Sequence, residues 1–593
     1  MRYWLASLLI AFAILVASTP SGATVFATVR GVVHDTEHRP IQGAKVTLRA
    51  VQSDFALSAL TNAGGEFEFP QAPIGVYRLR VESVGFAAAG ETLTVSSGTS
   101  ALLHIPMSPA GASETVIVNE SDSANLGTDT VTPTTLITRA QIEQTPGASR
   151  TLSMQMITNY VPGAYMTHDM LHIRGGHQTS WLIDGVSIPN TKIASNIGPQ
   201  IDPKDIDQLE VQRGSYAADI GDRTYGAFNV LPRNGFERNR DAELLLSGGN
   251  LYSGEAQISL GDHSARTAWY TSLSGSRSNY GLSTPVPGVD HDATNSQSLF
   301  GSVIRNQTAR DQLRLDGQYR QDFFQIPYDP DPNDWEQQSD YYNSYGLRDS
   351  QTERDSFVIL NWVRTLSPRA LFEVAPFYHF NQANYDSPST DFPVATTWHQ
   401  RSNYAGAQAD FRENIGPNSF SGGLYSFYQG ENDLFGLVVN DQSFTSGSVP
   451  TTSSATNAGL VEFHFSDHLR VNRYITLLGG MRISNYHGGY SESAAYPRIG
   501  ATVEVPRLHW VFRGFYGHFF QPAPVQTVSS AFLNYVNSQQ GENVFAPLPS
   551  ERDEEHQFGV QIPLKGWIAD IDNFKTRVNN FLDHANVDES NIY

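Results

Sequence analysis

From about residue 240 onward the chain alternates apolar and polar side chains with a period of two, and only an extended strand sends successive residues to opposite faces. Ala256, Ile258 and Leu260 stand opposite Glu255, Gln257 and Ser259. Leu313, Leu315 and Tyr319 stand opposite Gln312, Arg314, Asp316, Gln318 and Arg320. Val461, Phe463 and Phe465 alternate with Glu462 and His464, and Trp510, Phe512 and Tyr516 share a face opposite Arg513. A large antiparallel sheet follows. In a soluble sandwich its apolar face turns inward, whereas in a membrane barrel that face meets lipid and the polar face lines a wet lumen. Dense full charges on the polar face, and long polar connections such as Tyr328 to Arg354 among short turns, select the barrel. Aromatic residues toward strand ends, as in Tyr516 to Phe520, suit interfacial girdles.

Arg2 precedes the apolar stretch Leu5 to Ala17, and Ser21-Gly22-Ala23 supplies small residues for cleavage, so residues 1–23 read as a secretory signal peptide. That stretch is shorter than the roughly 20 residues a spanning helix needs. No longer apolar run follows, so any membrane crossing is made by strands. With 39 Lys and Arg against 60 Asp and Glu, a net charge of −21, and no basic run, the chain offers no phosphate-binding surface, and nucleic acid is excluded as a partner. It has no cysteine, which excludes disulfides, thiolate zinc sites, iron–sulfur clusters and cysteine nucleophiles.

Four segments follow the signal peptide. Residues 24–108 read as a small β-sandwich, with strand-like runs Val25 to Val33, Ala44 to Ala50 and Tyr77 to Val84 separated by turn-forming residues. Residues 109–131 are a polar linker interrupted by Glu114, Thr115, Val116, Ile117 and Val118. This β-forming pentad fits either a docking strand or an ordinary linker cluster. Residues 132–238 read as a small α+β domain, with helices expected over Thr138 to Gln144 and Ser149 to Met156 and glycine-bounded strands after them. Residues 239–593 carry the alternation.

The string GVVHDTEHRPIQGAKVTL, with TNAGGEFEFPQAPIGVYRLRVESVGF after it, resembles the carboxypeptidase regulatory-like domain, a carbohydrate-binding-like sandwich fold. His172 to Gly176, Leu182 to Ile188, Ile206 to Gly214 and Tyr225 to Val230 resemble, in order, the successive motifs of the TonB-dependent receptor plug. Pro497-Arg498-Ile499-Gly500, Tyr516 to Phe520 and a strand starting at Glu555 are similar to barrels of that family, and the whole chain resembles its Oar-like branch. The resemblance implies an outer-membrane receptor that imports an extracellular solute, carbohydrate being one candidate class, through a plugged barrel. It places the N-terminal domain in the periplasm, outer-membrane lipid around the barrel, and the energy-transducing TonB protein on the pentad as an added strand. The implied plug-motif residues are Arg174, Gly175, Gly176, Asp184, Gly185, Glu210, Arg213 and Gly214. Arg174 and Arg213 are candidates for retaining the plug through bidentate guanidinium–carboxylate pairs, and the glycines for tight turns. A surface adhesion or glycan-binding protein on the same scaffold, and a non-functional fragment, are the alternatives.

The sequence departs from the family twice. Gly226-Ala227 replaces a double glycine, which a tight turn should tolerate. At roughly 25 residues per strand and connection, only about 14 strands fit after residue 239. Asn591 and Glu589 fall where a closing strand needs apolar residues, so the chain is expected to stop mid-barrel with a free edge near Ile568 to Asn579. No catalytic residue, metal site or cofactor is assigned, and an enzyme is not expected. His34-Asp35-Thr36-Glu37 has zinc-ligand spacing but reads as a solvated turn; His168, His172 and His177 read as ordinary polar residues. Asp329, Asp331, Asn333 and Asp334 read as a solvated outer loop rather than a cation site.

Overall fold

Strand β1 (Phe26–Asp35) organises the N-terminal unit by pairing antiparallel with β4 (Glu66–Pro73) and parallel with β7 (Leu102–Met107). The opposing sheet contains β2 (Lys45–Ala50), β3 (Ala56–Leu60), β5 (Gly75–Glu82) and β6 (Ala89–Val95), in the order β3-β2-β5-β6. Along β5 the side chains of Tyr77, Leu79 and Val81 are buried while Arg78 and Arg80 face out, so a period-two sequence seals one face of the sandwich. A further strand, β8 (Ile117–Val118), comes from the linker and pairs parallel with β6 at the sheet's edge. The computed structural model describes residues 26–35, 39–51, 53–73, 75–95, 102–108, 117–118, 131–145, 160–167, 170–176, 179–189, 201–221, 225–279, 291–308, 310–326, 348–367, 370–391, 394–440, 448–472, 474–523, 525, 534, 549–564 and 567–581.

His34 and Asp35 do not form a solvated turn. Both are buried, and the Asp35 carboxylate accepts from the Arg39 backbone N–H at 2.9 Å and from its guanidinium at 2.7 Å. Glu37, His168, His177 and the acidic loop at 329–334 lie outside the described residues. His172 stacks on Tyr165 with ring centroids 5.2 Å apart. Among the described residues no group of His, Asp or Glu could hold a metal ion.

The second unit is a mixed sheet ordered β13-β12-β15-β14-β9, built from β9 (Thr134–Thr138), β12 (Thr179–Ile183), β13 (Val186–Ile188), β14 (Ile206–Gln212) and β15 (Gly226–Pro232). A separate hairpin joins β10 (Ala164–Thr167) to β11 (Met170–Ile173). The first expected helix forms as α1 (Arg139–Gln144). The Thr138 hydroxyl caps it, and the Gln141 side chain returns to the Thr138 N–H at 2.9 Å, a capping box. The second expected helix, Ser149 to Met156, lies outside the described residues. Ala227 is not in a turn: it is buried in central strand β15, paired with Ser180 and Gln212, where a small residue satisfies the packing.

The third unit is a meander of fifteen antiparallel strands from β16 (Asp241–Gly248) to β30 (Trp567–Asn579), each paired with its sequence neighbours. The length of the segment leads one to expect about 14. The alternation is resolved as lipid-facing apolar and inward polar. Phe463 is 56% exposed and Phe465 52%, while Glu462 beside them is 1% exposed. Ile258, Leu260, Leu315 and Tyr319 face out; Gln257, Ser259, Arg314, Asp316 and Arg320 face in. Of the segment Tyr516 to Phe520, Tyr516 keeps to the outward, partly exposed face, but the two phenylalanines do not form an interfacial girdle. Phe519 and Phe520 are buried, Phe519 edge-on to Tyr216 of the inner unit with centroids 5.6 Å apart and Phe520 stacked on Tyr496. Tight packing against the inner unit overrides the interfacial preference of these rings.

Among the described residues β16 pairs only with β17 (Gly254–His263), and β30 only with β29 (Glu551–Leu564). Within the described residues, the strand near Ile568 to Asn579 is thus an edge of the sheet, as expected. In a meander of fifteen strands the first and last run in the same direction, so these two edges cannot join by antiparallel pairing.

The two ends of the sheet differ. Short connections join His263 to Thr267, Ser367 to Ala370, Ile415 to Asn418 and Leu564 to Trp567; long ones join Gln325 to Ser350 and Gln521 to Glu551 at the other end. The sandwich docks at the short-turn end. Phe55 packs on Phe236, centroids 4.5 Å apart, and Asp54 meets His263 at 3.1 Å. The Ser53 hydroxyl donates to the Phe236 carbonyl, and Ala268 and Ile304 of the sheet join the sandwich core. Short turns mark the periplasmic side of such barrels. With the apolar face toward lipid, replacing Phe463 by Arg should cost about 2–4 kcal/mol near the bilayer midplane. Equilibrium unfolding in lipid vesicles measures this; no change would place Phe463 at a wet or interfacial position instead of in hydrocarbon.

Candidate functional site at the plug–barrel seam

The inner unit sits against the inward face of the sheet, and their seam combines apolar clusters shared by the two units with a set of charged contacts. Gly214 leads into it with a positive φ of 74°, and a Cβ there would fall 2.4 Å from the Arg174 guanidinium. That space lets Arg174 reach β29, where it donates to Gln557 at 2.9 Å and approaches Glu555 at 3.5 Å, and it lies 4.5 Å over the Phe574 ring of β30. Arg213 spans Asp570 at 3.5 Å and Asp572 at 3.4 Å on β30. Neither arginine makes the expected two-pronged pair with a single carboxylate. Each divides its guanidinium between two residues of the sheet, and the two carboxylates that Arg213 spans also serve Arg513. Gly559, paired with both Arg513 and Asp572, makes that reach possible: a Cβ on it would lie 2.3 Å from the Asp572 carboxylate.

The remaining plug-motif residues have local roles. Asp184, with φ of 50°, and Gly185, with φ of 81°, form the β12–β13 turn, and Asp184 meets Arg314 of the sheet at 2.7 Å. Burial pushes the Asp184 carboxyl well above the carboxylate range, against the pull of Arg314. The Gly185 carbonyl accepts from Gln408 of the sheet at 3.1 Å. Glu210 accepts from Asn229 at 3.0 Å inside the plug sheet. Gly175 takes φ of 93°, whereas Gly176 does not need a left-handed backbone: a Cβ there would lie 2.3 Å from the Tyr225 ring. Of the pentad, Ile117 and Val118 are in β8; Glu114, Thr115 and Val116 lie outside the described residues.

Sequence reasoning missed a second attachment. The loop from Tyr216 to Ile220 is held by three arginines of the sheet. Arg498, 1% exposed, donates to the carbonyls of Ala217 at 2.5 Å and Ile220 at 2.7 Å, and stacks 4.4 Å over Phe519. Arg482 donates to the carbonyls of Ala218 at 2.9 Å and Asp219 at 3.0 Å, and pairs with Glu462. Arg412 meets the Asp219 carboxylate at 2.9 Å, and Ser466 accepts from the Ala218 N–H. Burial acts to raise the Asp219 carboxyl, but Arg412, His464 and His468 outweigh it and hold it below the usual range. Arg498 lies in the family-like string Pro497 to Gly500, and Arg314 and Arg482 lie on the inward face; nothing local in the sequence marks Asp219.

A match to the carboxypeptidase regulatory-like domain spans residues 28–108, and a match to the TonB-dependent Receptor Plug Domain spans residues 127–228. The chain carries the plug domain of a TonB-dependent receptor. The TonB-dependent transporter Oar of Myxococcus xanthus is 24% identical over 226 residues, 36% of this receptor, and the match spans 21% of Oar's own length. The unliganded ferric citrate transporter FecA superposes with a TM-score of 0.58 at 16% identity, covering 77% of this receptor and 71% of FecA. P. aeruginosa FpvA bound to a ferric pyoverdine gives 0.57 at 12% identity, covering 76% of this receptor and 63% of FpvA. The inner unit is thus the plug and the fifteen-stranded sheet the barrel wall. The receptor belongs in the outer membrane with its sandwich on the periplasmic side.

Two outcomes follow. Arg498→Ala leaves two buried carbonyls without their charged donor, a loss of about 2–5 kcal/mol in plug retention; amide exchange across Ala217 to Ile220 should accelerate at least tenfold, and unchanged exchange would assign the hold elsewhere. Asp205, a plug residue accepting from Tyr270 at 2.9 Å, is pushed up to about 7 by burial and by neighbouring Asp202. A raised carboxyl stabilises the seam fully below its unfolded value near 4, and that stabilisation, of order 4 kcal/mol, is lost as pH rises through about 7. Amide exchange around Asp205 should therefore quicken between pH 5 and 8 beyond its intrinsic dependence, and Asp205→Asn should flatten the profile.

Proposed function

We propose that this receptor binds an extracellular solute at the long-loop end of its barrel and admits it when TonB, paired with Glu114 to Val118, displaces the plug. The observation that carries the reading is the composition of the seam. Guanidinium groups on carbonyls and carboxylates hold the plug, and such contacts are directional and exchangeable for water, so they release in succession under a pull. The proposed division is signal peptide 1–23, sandwich 24–108, linker 109–131, plug 132–238 and barrel 239–593. No catalytic residue enters this mechanism, and the reading is of a transporter rather than an enzyme.

The docking of the sandwich on the short-turn end weighs against adhesion, because it turns that domain away from the cell exterior. Ferric chelates, which FecA and FpvA carry or bind by name, and carbohydrates are the first solutes to offer. A photo-cross-linker at position 116 should capture TonB in cells, and Val116→Pro, which removes a backbone donor from the added strand, should reduce capture by a reporter at position 115 at least tenfold. Correctly inserted receptor that never captures TonB would overturn the reading.

A further inference from the structure

Strand β13 is an outer strand of the plug sheet, so one side of it presents backbone groups that no neighbouring strand satisfies. The barrel wall meets that edge with side chains. Gln408 accepts from the Ser187 N–H at 3.0 Å and donates to the Gly185 carbonyl at 3.1 Å. Two residues on, Pro189 has no N–H to offer, and its carbonyl lies 2.9 Å from Nδ1 of His379. The other ring nitrogen, Nε2, lies 2.9 Å from a carboxylate oxygen of Asp355. His379, on β22 (Ala370–Asp386), is fully buried, and Tyr404 of β23 (Val394–Ile415) stacks on its ring with centroids 5.5 Å apart. A carbonyl and an ionised carboxylate only accept, so this arrangement needs a proton on each side of the ring. Either both nitrogens carry N–H, or the carboxyl keeps a proton and donates it to Nε2. Take one proton away, and the ring has a single N–H for two acceptors. The charged acceptor, Asp355, makes the stronger bond and takes it, which turns a lone pair of Nδ1 toward the Pro189 carbonyl. The wall then keeps its own contact, and the plug loses one.

The charged groups around the pair are already engaged. Asp355 lies on β21 (Ser350–Ser367), where Glu353 beside it accepts from Gln351 at 2.6 Å. Opposite Asp355 on β20 (Asp311–Gln325) stands Arg320, whose guanidinium makes a two-pronged pair with Asp322 at 2.7 and 3.0 Å. On β23 the Tyr404 hydroxyl accepts from Gln429 at 3.1 Å, and on the plug hairpin Asp184 meets Arg314. The second oxygen of Asp355 is buried without a hydrogen bond among the described residues, which leaves His379 to balance that carboxylate. We propose that His379 and Asp355 form a proton-operated clasp on the plug: with the proton in place the pair holds the edge of β13 at Pro189, and loss of the proton lets that edge go. Linkage makes the relation reciprocal. Lifting β13 from the wall removes an acceptor that favours the protonated pair, so displacement of the plug promotes release of a proton into the lumen. The clasp concerns the seat of the plug and is independent of how TonB engages the linker.

Amide exchange of the full chain in lipid nanodiscs tests this, read over the β12–β13 hairpin, Thr179 to Ile188, between about pH 5 and 9 and corrected for intrinsic base catalysis. In the wild-type chain, opening of the hairpin should rise about fivefold or more across the range, with a slope no steeper than the roughly tenfold per pH unit that one proton allows. Asp355→Asn is the informative variant. Its side-chain amide can donate to Nε2, so a neutral ring keeps its one N–H for Pro189, and the hairpin should stay as protected at high pH as the wild type is at low pH. A hydrogen bond with a purely structural role would give these two chains the same profile. His379→Gln should abolish the pH step. Equal profiles for wild type and Asp355→Asn, or a step that persists in His379→Gln and so belongs to another group such as Asp184, would overturn the clasp. If His379→Gln does not insert, the comparison of wild type with Asp355→Asn decides alone.

Discussion

Each spanning strand must satisfy its backbone through its neighbours, since hydrocarbon offers no hydrogen bonds, and each must turn its apolar side chains outward. That inversion forces charge into the interior. Arg314, Arg320, Arg482, Arg498, Glu373 and Glu462 are all nearly inaccessible. Groups of this kind persist in a dry interior only with partners, and the plug supplies many of them: carbonyls to Arg482 and Arg498, Asp184 to Arg314, Asp219 to Arg412. The plug is a structural counterpart of the wall's own alternation as well as a stopper in its lumen.

The two sides of the seam use different chemistry. Toward the last strands, plug arginines reach out to wall carboxylates at distances near 3.5 Å. Around Tyr216 to Ile220, wall arginines reach in to plug carbonyls at 2.5–3.0 Å. The carbonyl contacts are the shorter, and they bind backbone, so they persist whichever side chains the loop carries. The carboxylate contacts are shared among several arginines and can rearrange without leaving any one group alone.

How much of this was legible in the sequence depends on how local each cause is. The period-two faces reported lipid and lumen correctly because a strand's geometry fixes them residue by residue. Arg174 and Arg213 stood out as candidate attachments because an acid-lined lumen would attract guanidinium groups of the plug motifs, yet their divided contacts depend on Glu555 and Gln557 for the one and Asp570 and Asp572 for the other, far along the chain. Phe519 and Phe520 misled, since an aromatic near a strand end looks the same whether it meets lipid headgroups or Tyr216. The buried His34–Asp35 pair misled for a similar reason: its turn closes on Arg39 and Pro40, and nothing in the four-residue string announces it. The grip on Asp219 was invisible, because three separate strands assemble it.

The seam also sets a condition on how the molecule is put together. Arg174 and Glu555 are 381 residues apart in sequence, and Arg213 and Asp570 are 357. The wall can grow by local hairpins, each strand finding the one before it, but these contacts close very long loops and so gain their partners late. The plug is made first and waits. Assembly therefore resembles wrapping around a preformed mandrel, in which each new hairpin is checked against the charges the plug presents. A register slip of one residue in the wall would turn its arginines to lipid and leave the mandrel's carbonyls unmet, so the plug acts as a proofreading template for the sheet that later encloses it.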